Sequence, residues 1–296
     1  MQMSNRISFH YRTWIGILAV LIAFASFAAS AAPDSSAAAP QPMTPDYEVK
    51  LFLDPSLVLD ANHELTSAVR TYFQTGAAEK IRVQFLDTND QRINQEGWYV
   101  RLRKKENDAS NKFELVYKKR YPVENGNLNA ALAQAARDGF TADDTNYEAQ
   151  VDWGYAKQTL SISRKKKVKK AGFSGLALPD LPTSRTWAID EAPGKFVNWS
   201  APQWGVNQLQ AVQKLYGPVN ATRSSGLWDG DKIDIEVWAI KNEAGTGFDY
   251  IVEASFKEAD GAAAAAKKAA VEADLAQAGW LLPVDQLKTQ LILQRY

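Results

Sequence analysis

Charged side chains recur at even spacings, mostly two residues apart, in six short segments of this 296-residue chain. Successive residues of a β-strand face opposite sides, so charges two positions apart share one face of their strand. The shared faces carry Asp46, Glu48 and Lys50; Arg101, Arg103 and Lys105; Glu114, Lys118 and Arg120; Glu148, Gln150 and Asp152; Asp234 and Glu236; and Glu253, Ser255 and Lys257. Carboxylates and basic groups that face one another could together hold a multiply charged ligand.

These charged faces could point in either of two directions. In an ordinary β-sandwich they would be the solvated side of each sheet, and this is the favoured interpretation for any single strand. Six such strands favour a barrel instead, with charges inside and apolar faces, such as that of Tyr250, Val252, Ala254 and Phe256, packed against outer helices. Buried charges on this scale are tolerated only when water, a metal or a multiply charged ligand compensates them.

Composition excludes several other kinds of chemistry. The chain has no cysteine and two histidines, His10 and His63. Thiol catalysis, thiolate zinc sites and HExxH metal sites are therefore excluded, and a Ser-His-Asp triad could rest only on His63. Basic and acidic residues number 34 each, so no global field favours nucleic acid or a membrane surface. With no Walker A loop and no strand-coupled GxGxxG motif, the chemistry is left to Asp, Glu, Lys and Arg.

The elements that must position these charges are mostly strands. Eight segments rich in β-branched and aromatic residues predict strands: Asp46–Leu53, Ile81–Leu86, Trp98–Lys105, Phe113–Tyr121, Tyr147–Trp153, Thr159–Arg164, Ile233–Lys241 and Tyr250–Lys257. The turn-rich links between them favour an antiparallel sheet that is closed or sandwiched. Helices are predicted at Asn62–Phe73, Leu128–Arg137, Val206–Tyr216 and Ala262–Ala278.

The strongest run of charge is the segment RKKKVKK, residues 164–170. A solvated loop that follows a strand is the favoured interpretation of such a run. A basic flap, a contact for a polyanion and a protease-processing site are the functional alternatives.

The first 31 residues differ in composition from the rest of the chain. Two arginines precede an apolar run from Trp14 to Ala29, and small residues follow it. This order predicts a cleaved secretory signal peptide over residues 1–31, with an uncleaved membrane anchor as the alternative. Residues 32–45 predict a Pro/Ala/Ser linker, and residues 46–296 a single domain with a helical C-terminal segment from about residue 260. We therefore expect a secreted protein, periplasmic in a bacterium, without membrane contact after signal removal.

The order of the charged segments resembles that of the CYTH superfamily, the triphosphate tunnel metalloenzymes. That family opens on an alternating ExExK strand, and this chain has DYEVK at residues 46–50. The segment QFLDTNDQRINQEGWYVRLRKKE, residues 84–106, is similar to the family's strand–loop–strand with an RxR pair, and FELVYKKRYP is similar to the lysine strand that follows. Arg223, Glu236 and Glu253 fall where the family has a late arginine and its closing acidic strands.

The resemblance implies a mainly β (α+β) fold, an eight-stranded antiparallel tunnel with a few flanking helices that binds a triphosphate. It implies phosphate binding by Lys50, Arg101, Arg103, Lys118 and Arg223, with Glu48 and Lys50 as catalytic residues. It also implies a Mg²⁺ or Mn²⁺ cofactor held by Asp46, Glu48, Glu236 and Glu253, since these cations prefer oxygen ligands. Lys257 and Glu148 are second-rank candidates for the site.

Three functions are open on the sequence alone. The first is a metal-dependent hydrolase of a triphosphate-containing compound. The second is a protein that binds polyphosphate, or another polyanion, in the same tunnel without turnover. The third is a lipocalin-like carrier or a structural β-protein, which requires an apolar interior and outward charges. Full exposure of Arg101 and Arg103 would favour the third.

Overall fold

The chain forms a β-barrel surrounded by short helices. The computed structural model describes residues 40–296, so the predicted signal peptide and residues 32–39 of the predicted linker lie outside the described region. The strands of this region are β1 (Asp46–Leu53), β2 (Glu79–Asp87), β3 (Trp98–Lys105), β4 (Lys112–Pro122), β5 (Glu148–Trp153), β6 (Gln158–Lys169), β7 (Lys214–Trp228), β8 (Asp231–Lys241), β9 (Phe248–Glu258) and β10 (Leu281–Leu282).

The helices of the described region are short, apart from one near the C-terminus. They are α1 (Pro55–Val58), α2 (Ser67–Tyr72), α3 (Arg92–Gln95), α4 (Leu128–Arg137), α5 (Leu181–Asp190), α6 (Gly194–Val197), α7 (Trp204–Gln210), α8 (Gly261–Gln277) and α9 (Lys288–Arg295). Within residues 40–296, none of these helices is both long and apolar enough to cross a lipid bilayer.

Nine strands of the described region close into a ring. Hydrogen-bonded neighbours follow the order β1-β5-β6-β4-β3-β2-β7-β8-β9, and β9 pairs again with β1. The two residues of β10 extend the sheet beside the end of β1, where Leu282 faces Phe52 and Leu281 faces Leu53. The architecture is a closed mixed β-barrel with flanking helices, which confirms the predicted mainly β fold class.

The ring differs from the predicted tunnel in its strand number and in one pairing. The resemblance implies eight antiparallel strands, whereas the ring has nine, and β1 and β5 run parallel to each other. A closed ring can be antiparallel throughout only when its number of strands is even. The ninth strand therefore forces one parallel neighbour, and this parallel pairing sets Glu48 opposite Asp152.

The strand of the ring that the residue pattern does not predict is β7. It contains Gly217, Pro218 and Gly226, which strands disfavour. A helix is predicted over Val206–Tyr216 instead, but α7 ends at Gln210, so this prediction is wrong beyond that residue. Hydrogen bonding to β2 on one side and to β8 on the other satisfies the β7 backbone and overrides its low strand propensity.

The basic segment at residues 164–170 is strand rather than loop over most of its length. β6 continues to Lys169, and each of its residues from Arg164 onward has a partner on β4. The interpretation of this run as a solvated loop is therefore wrong for residues 164–169, because the neighbouring β4 is long enough to pair with each of them. Strand alternation places Lys165 on the same face as Ser163, and both side chains line the barrel interior.

Apolar clusters on both sides of the barrel wall hold the fold together. The largest outer cluster joins the outward faces of β3 and β4 to the helices, and it includes Trp98, Phe113, Tyr117, Phe140 and Phe196. An inner cluster contains Ile81, Val83, Phe85, Val219, Trp238 and Ile240 together with Leu291, Ile292 and Leu293. The last three residues belong to α9, so the C-terminal helix packs its apolar face onto the inward faces of β2, β7 and β8.

Candidate functional site

The barrel encloses a cavity of about 500 Å³. Its wall comes from the inward faces of the strands and from the segment 285–292, which runs into α9. Ten basic side chains line it, namely Lys50, Arg101, Arg103, Lys118, Arg120, Lys157, Lys165, Arg223, Lys257 and Lys288. Seven acidic side chains line it, namely Glu48, Glu148, Asp152, Asp234, Glu236, Glu253 and Asp285. This excess of positive charge contrasts with the neutral chain as a whole and favours an anion.

One side of the cavity carries three arginines, Arg101 and Arg103 from β3 and Arg120 from β4, which we call the basic wall. The antiparallel ladder between the two strands holds the three side chains on one face. Arg101 and Arg103 share a single carboxylate, Glu114, with Nη2–Oε1 distances of 3.2 and 2.7 Å. The guanidinium of Arg120 lies 4.3 Å from the centre of the Tyr99 ring. The basic wall thus has more cationic groups than acceptors.

Four nitrogen atoms of the basic wall are buried without a hydrogen-bond partner among the described residues. They are Nε of Arg101, Nε of Arg103, and both Nε and Nη1 of Arg120. The Arg101 and Arg103 side chains are only 26% and 16% exposed, so these charges are inside the barrel. A buried donor without an acceptor costs roughly 1–3 kcal/mol. The described residues therefore leave four donors of the basic wall without an acceptor inside the barrel.

Burial and the crowding of like charges perturb the basic side chains. Burial and the neighbouring Arg103 together lower the pKa of Arg101 to about 10, although Glu114 opposes the change. Burial likewise lowers the pKa of Lys118 to about 8, against the attraction of Asp152. A bound anion would favour the protonated form of both groups and reverse these shifts.

A second group of charges, which we call the Lys50 cluster, lies where β1 and β5 run parallel. The Lys50 ammonium is 2.7 Å from Glu48 Oε2 and 2.6 Å from Asp152 Oδ1. Gln150 Nε2 donates to the same two carboxylates, at 2.6 and 2.8 Å. Lys118 approaches Asp152 Oδ2 at 3.4 Å. The cluster thus fixes two lysines at the cavity surface beside two carboxylates.

The carboxylates of the Lys50 cluster are held in the ionised form. Burial alone would raise the pKa of Glu48, but Lys50 outweighs it and the pKa is lowered to about 2. Asp152 is also buried, and Lys118 and Lys50 hold its pKa well below the ordinary value. Burial lowers the pKa of Lys50, but Asp152 and Glu48 raise it above that of an ordinary lysine. Glu48, Asp152 and Lys50 are therefore fully charged at neutral pH. Lys118, with a pKa of about 8, is the member of the cluster that titrates closest to neutral pH.

Across the cavity, Glu236 of β8 and Glu253 of β9 face each other on neighbouring strands, and we call them the acidic pair. The Lys288 ammonium lies between them, 3.1 Å from Glu236 Oε2 and 2.9 Å from Glu253 Oε1. Glu236 also accepts hydrogen bonds from Arg223 Nε at 2.9 Å and Trp238 Nε1 at 2.8 Å. Burial raises the pKa of Glu253, whereas Lys288 and Arg223 outweigh burial at Glu236 and lower its pKa.

The carboxylates do not fit a divalent metal in this arrangement. Within residues 40–296, no group of three or more His, Cys, Asp or Glu side chains is gathered so as to hold a metal ion. Lys50 contacts Glu48, and Lys288 lies between the two glutamates of the acidic pair. Asp46 is exposed at the start of β1 and does not line the cavity. Binding of Mg²⁺ or Mn²⁺ therefore stays a prediction of the sequence resemblance.

The cavity brings together most of the predicted site residues. Its lining includes Glu48, Lys50, Arg101, Arg103, Lys118, Arg223, Glu236 and Glu253, with the second-rank candidates Glu148 and Lys257. This charged interior excludes the lipocalin-like alternative, which requires an apolar one. The one histidine within residues 40–296, His63, is exposed and stacks on the Tyr250 ring at 3.8 Å, so a histidine-based triad in the cavity is also excluded.

Seven charged lining residues were not assigned to the site from the sequence, and three of them, Arg120, Asp152 and Lys288, contact other charged or aromatic groups of the cavity. Arg120 and Asp152 lie on charged strand faces recognised by alternation, and that alternation would have been a sufficient signal to include them. Lys288 carries no such signal, because it lies in α9, in the C-terminal segment predicted to be helical, where strand alternation does not apply. Its position in the cavity depends on how the C-terminal segment folds back onto the barrel.

Comparisons with known proteins give low similarity. No protein-family model and no curated protein matches the sequence. A solved structure from Hippeastrum, a candidate adenylyl cyclase described as having a dominant triphosphatase activity, aligns with a TM-score of 0.49 and 14% identity over 84% of this chain and 99% of its own. A candidate adenylate cyclase from Bacillus halodurans aligns with 0.44 and 11%, over 85% and 97%. The function proposed below rests on this chain's own residues.

Proposed function

We propose that the barrel binds a compound with a linear chain of phosphate groups, such as a triphosphate, and hydrolyses it. The observation that carries the proposal is the basic wall, whose buried arginine nitrogens lack acceptors in a cavity with ten basic and seven acidic side chains. Phosphate oxygens meet guanidinium groups bidentately and meet lysines as point charges. The CYTH-like order of the charged segments favours the same class of ligand.

In this proposal the basic wall and the Lys50 cluster bind successive phosphates. Arg101, Arg103 and Arg120 would donate their unpartnered nitrogens to phosphate oxygens. Lys50 and Lys118 would add positive charge from the neighbouring wall, and Arg223 from the opposite side. Cations placed in this way stabilise the negative charge that develops on a leaving phosphate, and water can attack without a covalent intermediate.

Binding without turnover is the second candidate, and one observation favours it. A general base works best when its pKa is near the working pH, whereas the pKa of Glu48 is about 2. The pKa of Glu236 is lowered as well. Glu253 has a raised pKa, but one of its oxygens accepts from Lys288. A protein of this kind would hold polyphosphate, or another polyanion of similar spacing, as a binding protein.

The experiment that tests both candidates is phosphate release by the purified protein. Inorganic triphosphate and ATP would be the substrates, each with Mg²⁺, with Mn²⁺ and with a chelator. Arg103→Gln removes one member of the basic wall, and Glu48→Gln removes a predicted catalytic carboxylate. Arg164→Gln is a matched control, since this arginine of β6 binds Asn146 and does not line the cavity.

We expect phosphate release by the wild-type protein and by Arg164→Gln, with strong loss in Arg103→Gln. Loss in Glu48→Gln would support a hydrolase that uses this carboxylate. Binding of triphosphate by calorimetry without any release would support the second candidate. Absence of both release and binding, in protein shown to be folded by circular dichroism, would contradict the proposal. Release only with metal would support a role for the ion in the reaction, bound by the phosphate chain, by the carboxylates or by both.

We also propose that the protein is exported. The proposal comes from the N-terminal sequence, where a basic region, an apolar run and small residues follow in order. Expression of the full chain in its host, followed by fractionation and N-terminal sequencing, tests it. An extracellular or periplasmic product that begins near residue 32 is expected, whereas an intact N-terminus in the membrane fraction would identify an anchor.

A further inference from the structure

The Lys288 ammonium lies between the two carboxylates of the acidic pair, where a positive charge balances them. Its ammonium donates to Glu236 and to Glu253 at 3.1 and 2.9 Å. The three side chains are 15%, 9% and 5% exposed, in the order lysine, Glu236, Glu253. Nζ also lies 4.5 Å from the centre of the Trp238 ring, a contact typical of a desolvated cation. One lysine thus bridges two buried carboxylates from neighbouring strands.

Local helix physics does not explain this position. Lys288 is the first residue of α9, and the N-terminal end of a helix repels positive charge. The preceding Leu287 provides no side-chain hydrogen bond to the first turn. The lysine is therefore held by its carboxylate partners in the barrel, and the contact is a tertiary one.

Contacts of the other α9 residues, and of the segment before the helix, hold Lys288 in place. Leu291, Ile292 and Leu293 pack in the inner apolar cluster. Arg295 Nη1 donates to Asp249 Oδ2 at 2.7 Å, and the Leu293 carbonyl accepts from Gln91 Nε2 at 2.9 Å. Ahead of the helix, Asp285 Oδ2 accepts from the Ala156 N–H at 2.9 Å. Lys288 is thus fixed on both sides, which lowers the entropy cost of keeping its ammonium in place.

We propose that Lys288 is a tethered counter-ion, which neutralises the acidic pair and keeps divalent metal out of it. The inference rests on the proposed function in one respect, since the acidic pair is part of the cavity that would hold the phosphate chain. It departs from the resemblance, which implies that Glu236 and Glu253 bind Mg²⁺ or Mn²⁺. A metal would have to displace an ammonium that is covalently part of the chain and therefore always at high local concentration.

The test is Mn²⁺ binding without any phosphate compound, measured by electron paramagnetic resonance of free Mn²⁺ and by calorimetry. Lys288→Met keeps most of the apolar stem that covers Trp238 and removes the charge. We expect Lys288→Met to bind one Mn²⁺ at least tenfold more tightly than the wild type. Lys288→Gln, which keeps a hydrogen-bond donor, should show the same gain if Lys288→Met fails to fold.

Controls separate this gain from a general effect of charge. Lys288→Arg keeps a cation between the glutamates and should stay at the wild-type affinity. Lys157→Met removes another lining lysine, one that does not contact the acidic pair, and should also give no gain. The gain should disappear in the double variant Lys288→Met/Glu253→Gln. Equal Mn²⁺ affinity in the wild type and in both neutral variants would overturn the proposal.

Triphosphate binding is measured in a separate experiment, so the counter-ion proposal and the proposed function can be contradicted independently. Calorimetry with inorganic triphosphate and a chelator tests the cavity for anions, and Mn²⁺ titration alone tests Lys288. A gain in Mn²⁺ affinity without any triphosphate binding would support the counter-ion and contradict the proposed function. Triphosphate binding with no Mn²⁺ gain would contradict the counter-ion alone.

Discussion

The basic wall and the acidic pair bury their charges in opposite ways. On the basic wall, Arg101 and Arg103 share one carboxylate, Glu114, and the three arginines together keep four nitrogens without acceptors among the described residues. The two carboxylates of the acidic pair have Lys288 between them, and Glu236 has Arg223 as a further cation. The basic wall thus carries more positive charge than its described neighbours balance, whereas Lys288 and Arg223 balance the charges of the acidic pair. Under the proposed function, anion affinity would therefore depend mainly on the basic wall, and the acidic pair would contribute mainly to stability.

Charge reversal on the basic wall should have the largest effect. Arg101→Glu replaces a donor by a carboxylate beside Glu114, so it both removes attraction and repels phosphate. We expect triphosphate affinity to fall by at least about 100-fold, since hydrogen bonds to charged groups contribute about 1.5–3 kcal/mol. Calorimetry measures this, with Arg164→Glu as the outer-face control. Equal losses in the two variants would show that overall charge, and not the wall, determines affinity.

The acidic pair should respond in stability, and its two members should differ. Glu236→Gln removes a carboxylate whose pKa is lowered, and it leaves Arg223 and Lys288 short of a buried partner. Breaking such a buried pair costs about 3 kcal/mol. Glu253→Gln removes a carboxylate whose charge burial disfavours, so the cost should be below about 1 kcal/mol. Urea unfolding compares them, and equal costs would contradict the assigned pKa directions.

Neutralising Arg120 should weaken binding less than reversing Arg101. Arg120→Gln removes two unpartnered nitrogens and creates no repulsion. We expect triphosphate affinity to fall about tenfold, which corresponds to about 1.4 kcal/mol. The free energy of unfolding should stay the same or rise slightly, because a desolvated charge is lost. An unchanged affinity would remove Arg120 from the basic wall as a binding group.

The smallest expected effect is a pH dependence from Lys118. Burial lowers its pKa to about 8, so its positive charge is present below that pH and lost as the pH rises through it. Triphosphate affinity should therefore weaken several-fold between pH 7 and 9. Lys118→Arg keeps its proton over this range and should flatten the profile. The ionisation of triphosphate itself affects the wild type and Lys118→Arg equally. Identical pH profiles of the two proteins would therefore exclude Lys118 as the source of the pH dependence.

Strand alternation made much of this site predictable. Glu48, Arg101 and Glu236 line the cavity because charges two residues apart on a strand necessarily share a face, and the number of charged faces favoured a barrel over a sandwich. The limits of β3 and of α4 agree with the sequence pattern, since both have strong local signals. These features depend on short-range rules that a single sequence carries.

The features that escaped prediction depend on long-range contacts. β7 carries residues that strands disfavour, and only its two neighbours make it a strand. The parallel pairing of β1 with β5 follows from an odd strand count, which local pattern does not reveal. Lys288 enters the cavity from a helix of eight residues whose location is set by the barrel it closes.

The pairing of β1 with β9, which closes the ring, has a consequence for how the molecule folds. The first strand completes the ring by pairing with β9, where Lys50 lies opposite Ser255, two residues separated by most of the described chain. Contacts between residues so far apart in sequence form only after a long loop has closed, and this closure costs conformational entropy. Folds that depend on such contacts therefore form slowly. We therefore expect the nascent chain to stay open until its last strands are made, and the cavity to form late, in one cooperative step.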